Sequence, residues 1–266
     1  MMSSKERLDI ILVKKGLFPS REKAKASIMA GEIYVDGLRI DKAGSLIKEN
    51  ANIELKVKSL PYVSRGGLKL EKALKKFDVD VSNKIVLDIG ASTGGFTDCL
   101  LKNGAFKVYA VDVGYGQLDW NLRNDKRVVN MERINIRYLE SLPETVDLIT
   151  IDVSFISLSI VIPSALKFLK EDGCLIALIK PQFEAGKGKV GKKGVVKDPD
   201  THIQVINRII KISSDYGLII KGITHSPIKG PEGNIEYLIY TCKNNITNIN
   251  INVENIVKNA FEELNK

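Results

Sequence analysis

The sequence predicts an α/β fold in which a doubly wound, mostly parallel sheet follows a small N-terminal α+β module. Apolar strand-like segments alternate with amphipathic helical segments from Ile85 onward, which is typical of a parallel sheet. A glycine-rich turn follows the first of these strands. The last β-rich runs, 217–225 and 234–241, are joined by too short a loop for a parallel crossover, so the final strand should pair antiparallel.

Length and charge limit the number of domains and the class of partner. The chain has 266 residues, enough for one large domain and a small one. Its formal net charge of +8 favours an anionic partner such as nucleic acid, although a solvated lysine-rich surface gives the same balance. The N-terminus lacks the apolar region of a signal peptide, and the most apolar stretch, 153–166, is too short to span a bilayer. We therefore expect a cytoplasmic protein with no membrane partner.

Cysteine and histidine usage also favours a cytoplasmic protein. Cys99, Cys174 and Cys242 lie far apart in apolar segments, and none belongs to a C-x-x-C pair. We expect them to be buried thiols in a reducing compartment rather than a disulfide framework or a zinc site. His202 and His225 lack metal-ligand spacing, so no metal site is expected.

Residues 1–58 form the predicted small module. Leu8, Ile11 and Leu12 follow helical spacing, and Ser20 can cap a second helix that runs to about residue 30. Strands are expected at 33–37 and 53–57. Basic residues cluster near the junction of the helices, where they would face phosphates or form a solvated face. The candidate RNA-binding residues are Arg7, Lys14, Lys15, Arg21, Lys23, Lys25 and Arg65.

The pattern of this module carries a family resemblance. The blocks Arg7-Leu-Asp-x-x-Leu12, Gly16-Leu17, Ser20-Arg21-x-x-Ala24 and Gly31-x-Ile-x-Val35 resemble the S4 RNA-binding domain. The resemblance implies recognition of structured RNA by its shape and its phosphates.

A linker at 59–64 is expected to lead into a second domain, 65–266. Its parallel strands are predicted near 85–89, 107–112, 127–131, 146–152 and 173–180, and its helices near 95–103, 116–123 and 156–169. The tail from Val253 onward has the spacing of an amphipathic helix. The loop 183–196 is rich in glycine and lysine, which predicts either a mobile basic loop that closes on nucleic acid or a surface insertion.

The stretch from Val86 to Phe96 has the order strand, glycine turn, helix. Gly90 permits a backbone that a Cβ would hinder, and Gly94 and Gly95 would let a ligand lie against the helix start. Asp88 is expected at the carboxyl end of its strand. Asp112 ends the next strand, where an acid is well placed to bind ribose hydroxyls.

The spacing of these glycines helps to identify the ligand. The run Gly90-Ala-Ser-Thr-Gly-Gly95 lacks the second glycine of the dinucleotide pattern. The spacing therefore favours S-adenosylmethionine over a dinucleotide, while a purely structural turn stays open as a third reading.

Charged residues are also expected where folding alone explains them poorly. Asp152 and Lys180 each end an apolar strand, and strand ends are where sites form in such sheets. Lys69 lies beside a glycine pair, and Glu236 lies near the start of the last strand. For these latter two, position alone favours an exposed side chain over a function.

A second resemblance favours a function for all four of these charged residues. The ordered set Lys69, Asp152, Lys180 and Glu236 resembles the catalytic tetrad of RNA 2′-O-methyltransferases. With the blocks Ser64-Arg-Gly-Gly-Leu-Lys69, Asp112-Val-Gly-Tyr-Gly and Lys180-Pro-Gln-Phe-Glu184, the chain is similar to the TlyA family of ribosomal RNA cytidine-2′-O-methyltransferases, some of which carry a haemolysin label. The family linker usually has a tryptophan where this chain has Tyr62.

The resemblance implies a Rossmann-like class I methyltransferase sheet, S-adenosylmethionine as donor, and ribosomal RNA or ribosomal subunits as partner. It implies that Lys180 is central, that Asp152 and Glu236 orient it, and that Lys69 positions the ribose oxygen. The implied cofactor residues are Asp88, Gly90, Ala91, Ser92, Thr93, Gly94, Gly95, Phe96, Asp112 for the ribose, and Asn135 for the adenine side. The alternatives are a membrane-active haemolysin and a non-catalytic RNA-binding protein.

Overall fold

The structure, a computed structural model, describes residues 5–29, 31–55, 60–186, 188–191, 193–244 and 251–265. The chain divides into two compact units, Met1–Leu60 and Pro61–Lys266. The expected linker overlaps the start of the second unit, and its first residue, Ser59, lies outside the described residues.

The first unit packs two helices on short antiparallel strands. Its elements are β1 (Lys5–Arg7), α1 (Leu8–Lys14), α2 (Arg21–Met29), β2 (Ile33–Val35), β3 (Leu38–Ile40), β4 (Leu46–Lys48) and β5 (Ile53–Leu55). Strands β1 and β4 pair with each other, and β2 lies between β3 and β5. Leu8, Leu12 and Ile28 are fully buried between the helices and strands, as the helical spacing predicts.

The second unit contains a mixed sheet of seven strands among its described residues. They are β6 (Ile85–Ile89), β7 (Lys107–Val111), β8 (Val128–Met131), β9 (Val146–Ile151), β10 (Leu169–Ile179), β11 (Ile219–His225) and β12 (Tyr237–Cys242). Their order is β11-β12-β10-β9-β6-β7-β8. Strand β12 pairs antiparallel with both β10 and β11, while the other pairs are parallel.

Helices cover both faces of this sheet. They are α3 (Gly66–Phe77), α4 (Gly95–Lys102), α5 (Trp120–Arg123), α6 (Leu158–Leu166), α7 (Pro181–Glu184), α8 (Pro199–Asp215) and α9 (Val253–Leu264). Alternate residues of each central strand face opposite layers, so Val86 packs with α3 and α4 while Leu87 packs with α6 and α8. Burial on both faces explains why these strands are continuous apolar runs rather than alternating ones.

The predicted fold class is confirmed, including the antiparallel last strand. Helix α8 was not predicted, although its start carries a clear signal. Asp198 accepts a hydrogen bond from the Thr201 amide at 3.0 Å, and Pro199 occupies the first turn, where a missing N–H costs nothing. The short strands β1, β3 and β4 were also missed, because three residues carry too little periodicity.

The expectation of three free thiols is wrong for one pair. Cys174 and Cys242 form a disulfide between β10 and β12, where the strand register places them directly opposite each other. Their sequence separation of 68 residues conceals this proximity. Cys99 is a buried free thiol, and its burial raises its pKa to about 12.

Candidate active site

The carboxyl ends of three parallel strands lie side by side at one edge of the sheet. In the strand register, Ile89 pairs with Ile151, and Ile151 with Ala177. The residues after β6 and β9 therefore emerge at the same edge, and β10 continues to Ile179 before its own end reaches that edge. Strand β12 runs the opposite way, and Tyr237 pairs with Ile179, so the residue before β12 reaches this edge as well.

This geometry brings the four predicted catalytic residues to one edge as two ion pairs. Lys180 Nζ lies 2.6 Å from Asp152 Oδ1 and donates a hydrogen bond to Ser154 Oγ at 3.0 Å. Lys69 Nζ, on α3, donates to Glu236 Oε2 at 2.6 Å. Both members of the second pair are buried, with Glu236 only 1% exposed. A buried pair of this kind is costly to desolvate, which points to a role beyond stability.

A cavity of about 510 Å³ opens beside Asp152. The predicted cofactor residues Gly90, Ser92, Asp112 and Asn135 line it, and apolar side chains such as Ile134 complete the wall. Its size lies within the range of pockets that hold ligands as large as a nucleoside.

Asp112 and Asn135 are held in place by local hydrogen bonds. Asp112 Oδ2 accepts from the Ser92 amide at 2.8 Å, and its Oδ1 accepts from the Gly114 amide at 2.7 Å. Each carboxylate oxygen has a second acceptor site that these bonds leave for a ligand. Asn135 Oδ1 accepts from the Arg137 amide at 3.1 Å.

The glycines of the turn serve different purposes. At Gly90, with φ of +85°, a Cβ would lie 2.4 Å from the Asp152 carbonyl oxygen, so only glycine lets β6 and β9 approach this closely. At Gly94 a Cβ would meet Leu122, and at Gly95 it would meet Ser64 Oγ. For these last two, the structure gives packing against protein side chains, rather than room for a ligand, as the reason for glycine.

Other predicted cofactor residues do not line the cavity. Ala91 and Phe96 are buried in the protein, and Thr93 is exposed. Asp88 is fully buried and accepts hydrogen bonds from Thr97 Oγ1 at 2.7 Å and Thr150 Oγ1 at 2.9 Å. Burial raises the pKa of Asp88 to about 6 against the effect of those two donors. Asp88 thus joins β6 to α4 and β9 beneath the turn.

The predicted RNA-binding residues of the first unit fall into two groups. Arg7 and Arg21 both donate to the buried carboxylate of Asp9, at 3.0 and 2.8 Å, and leave about half of each side chain exposed. The Arg7 hydrogen bonds, helped by Arg21, hold the pKa of Asp9 at about 2. Lys14 is paired with Glu6, whereas Lys15, Lys23 and Lys25 carry no such pair among the contacts of the described residues.

Arg65, in the second unit, is exposed and donates to the Lys229 carbonyl oxygen at 2.7 Å. Lys189 and Lys193 of the basic loop 183–196 are exposed, and Lys187 and Lys192 lie outside the described residues. The start of this loop is ordered as α7 rather than irregular.

Comparison with known proteins identifies the family. The model of the FtsJ-like methyltransferase family matches residues 62–243, and the S4 domain model matches residues 6–53. The chain belongs to the FtsJ-like methyltransferase family. This methyltransferase also carries the S4 domain that its N-terminal pattern predicts, so both resemblances are confirmed.

Known relatives are similar to this protein over most of its chain. A Bacillus subtilis protein named as a candidate rRNA methyltransferase, YqxC, is 54% identical over 90% of this chain and 86% of its own. The 16S/23S rRNA (cytidine-2′-O)-methyltransferase TlyA of Mycobacterium tuberculosis is 43% identical over 90% of both chains. A solved structure from Streptococcus thermophilus, named as a candidate hemolysin, is 44% identical, with a TM-score of 0.78 over 99% of this chain and 98% of its own.

Several side chains beside the methyltransferase site received no role from the sequence analysis. Gln182 Nε2 donates to Glu236 Oε1 at 3.2 Å. Phe155 is 91% exposed, has φ of +63°, and its ring centroid lies 4.9 Å from that of Phe183. An exposed phenylalanine at positive φ is costly, and no local pattern predicts this conformation, so only the fold reveals it.

The described part of the methyltransferase offers neither a clustered set of metal ligands nor a membrane-crossing helix. No cluster of three or more histidine, cysteine, aspartate or glutamate residues in those ranges could hold a metal ion. No helix in them has the length and apolar content needed to cross a bilayer.

Proposed function

We propose that this protein transfers a methyl group from S-adenosylmethionine to the 2′-hydroxyl of cytidine ribose in ribosomal RNA. The observation that carries the proposal is the meeting of two lysine–carboxylate pairs at one sheet edge, beside a cavity of about 510 Å³. The name of the M. tuberculosis relative supports cytidine as the target nucleotide and its 2′-hydroxyl as the methyl acceptor.

The cavity fits such a donor. Asp112 has acceptor sites left for ribose hydroxyls, Asn135 and the apolar wall suit the adenine, and Gly90 and Ser92 lie where the methionine part would rest. When bound, the donor supplies a methyl carbon on a positively charged sulfur. Among the residues that line the cavity, Asp152 carries the only carboxylate besides that of Asp112.

The charged residues would activate the hydroxyl. A ribose 2′-hydroxyl is a weak nucleophile that must lose its proton as its oxygen bonds to the methyl carbon, whose bond to the donor's sulfur would break in exchange. We assign Lys180 to hold that oxygen and guide the proton, with Asp152 and Ser154 fixing Lys180 Nζ. Lys69, fixed by Glu236, would position the ribose.

The two domains would have separate functions. In this proposal residues 1–58 bind structured RNA through Arg7, Lys14, Lys15, Arg21, Lys23 and Lys25, and residues 65–266 add Arg65 and perform catalysis. Half-exposed arginines oriented by Asp9 suit phosphate recognition, because each keeps N–H groups that Asp9 does not use. Since the substrate is ribosomal, we propose a cytoplasmic location.

The decisive experiment is methyl transfer from labelled S-adenosylmethionine into purified small and large ribosomal subunits, followed by mapping of ribose methylation. The proposal requires label on a cytidine 2′-oxygen in at least one subunit. Label on a base, or none on either subunit under conditions where the protein is folded and binds the donor, would refute it.

Asp112→Asn is expected to weaken S-adenosylmethionine binding by about 10- to 100-fold, because hydrogen bonds to a charged acceptor contribute about 1.5–3 kcal/mol. Calorimetry measures the affinity. Asp215→Asn is the matched control, since Asp215 pairs with Lys211 on the exposed surface of α8. Equal affinity in the two variants would remove Asp112 from the donor site.

Phe155→Ala is expected to raise KM for the RNA about 10-fold or more. The exposed Phe155 packs on the half-buried Phe183 next to Ser154 and Lys180, so it can stack on the target base, and stacking contributes about 1–3 kcal/mol per base. Phe106→Ala is the control, because Phe106 is 59% exposed and precedes the amino end of β7, at the opposite sheet edge. An unchanged KM in Phe155→Ala would contradict the stacking role.

A further inference from the structure

We infer that Gln182 is a positioning residue that holds Glu236 toward Lys69 and joins the two ion pairs into one catalytic unit. The inference rests on the methyl-transfer function proposed for this edge of the sheet. It concerns a side chain that touches no reacting atom and acts through Glu236.

The contact itself is specific. Glu236 Oε2 accepts from Lys69 Nζ at 2.6 Å, and the other oxygen, Oε1, accepts from Gln182 Nε2 at 3.2 Å. The bare Cα of Gly230 leaves room for this carboxylate, because a Cβ there would lie 2.6 Å from Oε1. Each carboxylate oxygen thus accepts from one side-chain donor, and this arrangement fixes the orientation of the carboxylate.

The amide of Gln182 is held at a cost. Its Oε1 is buried and has no hydrogen-bond partner among the described residues. A flipped amide would aim that oxygen at the Glu236 carboxylate, so the observed orientation is the one that donates to Glu236. Buried polar atoms without partners are rare in native proteins, and a position that keeps one is better explained by function than by stability.

Helix α7 supplies the rigid support for Gln182. Glu184, on the same turn, is buried and accepts from the Leu158 amide and from Ser157 Oγ, both at 2.7 Å. It also pairs with Arg208 at 2.9 Å. These contacts fix α7 to the start of α6 and to α8, so Gln182 cannot drift away from Glu236 without breaking them.

The placement of Gln182 couples the two pairs. Lys180 precedes α7 directly, so Lys180 and Gln182 share one short, anchored segment. Lys180 contacts Asp152 from that segment, and Gln182 contacts Glu236. A shift of one pair must therefore move the other, which sets the spacing between the hydroxyl-activating lysine and the ribose-positioning lysine.

A carboxyl group at position 182 tests this contact through pH. While the introduced carboxyl of Gln182→Glu holds a proton, it can donate to Glu236 as the amide does; once ionised, it repels Glu236. The titratable groups of the two ion pairs beside this point come from α3, from the residues that follow β9 and β10, and from the residue before β12: Lys69, Asp152, Lys180 and Glu236.

We expect the ratio of kcat in Gln182→Glu to kcat in the wild type to fall at least about 10-fold as pH rises from about 6 to about 9, the range in which a carboxyl beside a buried carboxylate ionises. Since both enzymes share every other titrating group, the ratio isolates position 182. Gln204→Glu is the matched control, because Gln204 is exposed on α8 and bonds only Lys189 among the contacts of the described residues. Its ratio should stay flat.

Gln182→Leu provides the second arm. It keeps the volume and removes the donor, so kcat should fall about 10-fold or more at every pH with KM values unchanged, since a misplacement of about 1 Å can cost a hundredfold in rate. A flat pH ratio for Gln182→Glu, or a Gln182→Leu enzyme with wild-type kcat, would overturn the inference.

Thermal unfolding separates this inference from the proposed function. The Tm of Gln182→Glu relative to the wild type should decrease over the same pH range, while that of Gln204→Glu should not. This readout needs no substrate, so a wild-type protein that fails to methylate ribosomal RNA refutes the function, and a flat Tm difference refutes the contact.

Discussion

Lys180→Ala is expected to reduce methyl transfer by about a thousandfold or more while RNA affinity stays within about twofold of the wild type. The ammonium group of Lys180 lies 2.6 Å from Asp152 and 3.0 Å from Ser154, two residues that line the cavity. Its removal takes away the only lysine paired with Asp152 among the described residues and leaves that carboxylate without a cation. The loss falls on the chemical step, because Lys180 has little exposed surface to offer the RNA.

Single-turnover methylation with saturating RNA and donor measures this loss, and RNA binding is followed separately by fluorescence anisotropy. Lys189→Ala is the matched control. Lys189 is exposed on the neighbouring basic loop, so its loss should lower RNA affinity modestly and make binding less salt-dependent, with little effect on the single-turnover rate. A Lys180→Ala enzyme that is folded and active, or one that has lost RNA binding instead of turnover, would contradict the role assigned to Lys180.

Sequence reasoning could foresee one of the two ion pairs on physical grounds. Asp152 and Lys180 each end a long apolar strand, and parallel strands bring their carboxyl ends together, so their meeting follows from the fold class. Lys69 and Glu236 are 167 residues apart, and one of them lies on a helix. Only a family resemblance could join them, because no local period links a helix residue to the turn before a distant strand.

Other features were beyond reach for similar reasons. The Cys174–Cys242 disulfide depends on the register of β10 and β12, which the pattern of neither strand determines alone. The role of Gln182 depends on its contact with Glu236, and that of Phe155 on its contact with Phe183. Each contact joins separate segments of the chain. Helix α8 was different, since Asp198, Pro199 and the apolar spacing after them could have predicted it.

Gly90→Ala is expected to destabilise the methyltransferase unit by about 3 kcal/mol or more and to weaken S-adenosylmethionine binding by about a hundredfold. At φ of +85° an alanine is strained, and its Cβ would lie 2.4 Å from the Asp152 carbonyl oxygen, which is backbone and cannot rotate away. The strands must separate to admit it. Because Gly90 and Asp152 both line the cavity, the same movement displaces the donor site and the partner of Lys180.

Gly217→Ala separates strain from collision. Gly217 has φ of +76° but no atom within 4 Å of an added Cβ, and it precedes the amino end of β11, away from the site edge. It should lose only about 1–2 kcal/mol from the left-handed backbone and bind the donor normally. Chemical denaturation and calorimetry on both variants measure the two effects. If Gly90→Ala matched Gly217→Ala in stability and donor affinity, the close approach of β6 and β9 at Gly90 would not be what shapes the donor site, and the turn would owe its glycine to backbone conformation alone.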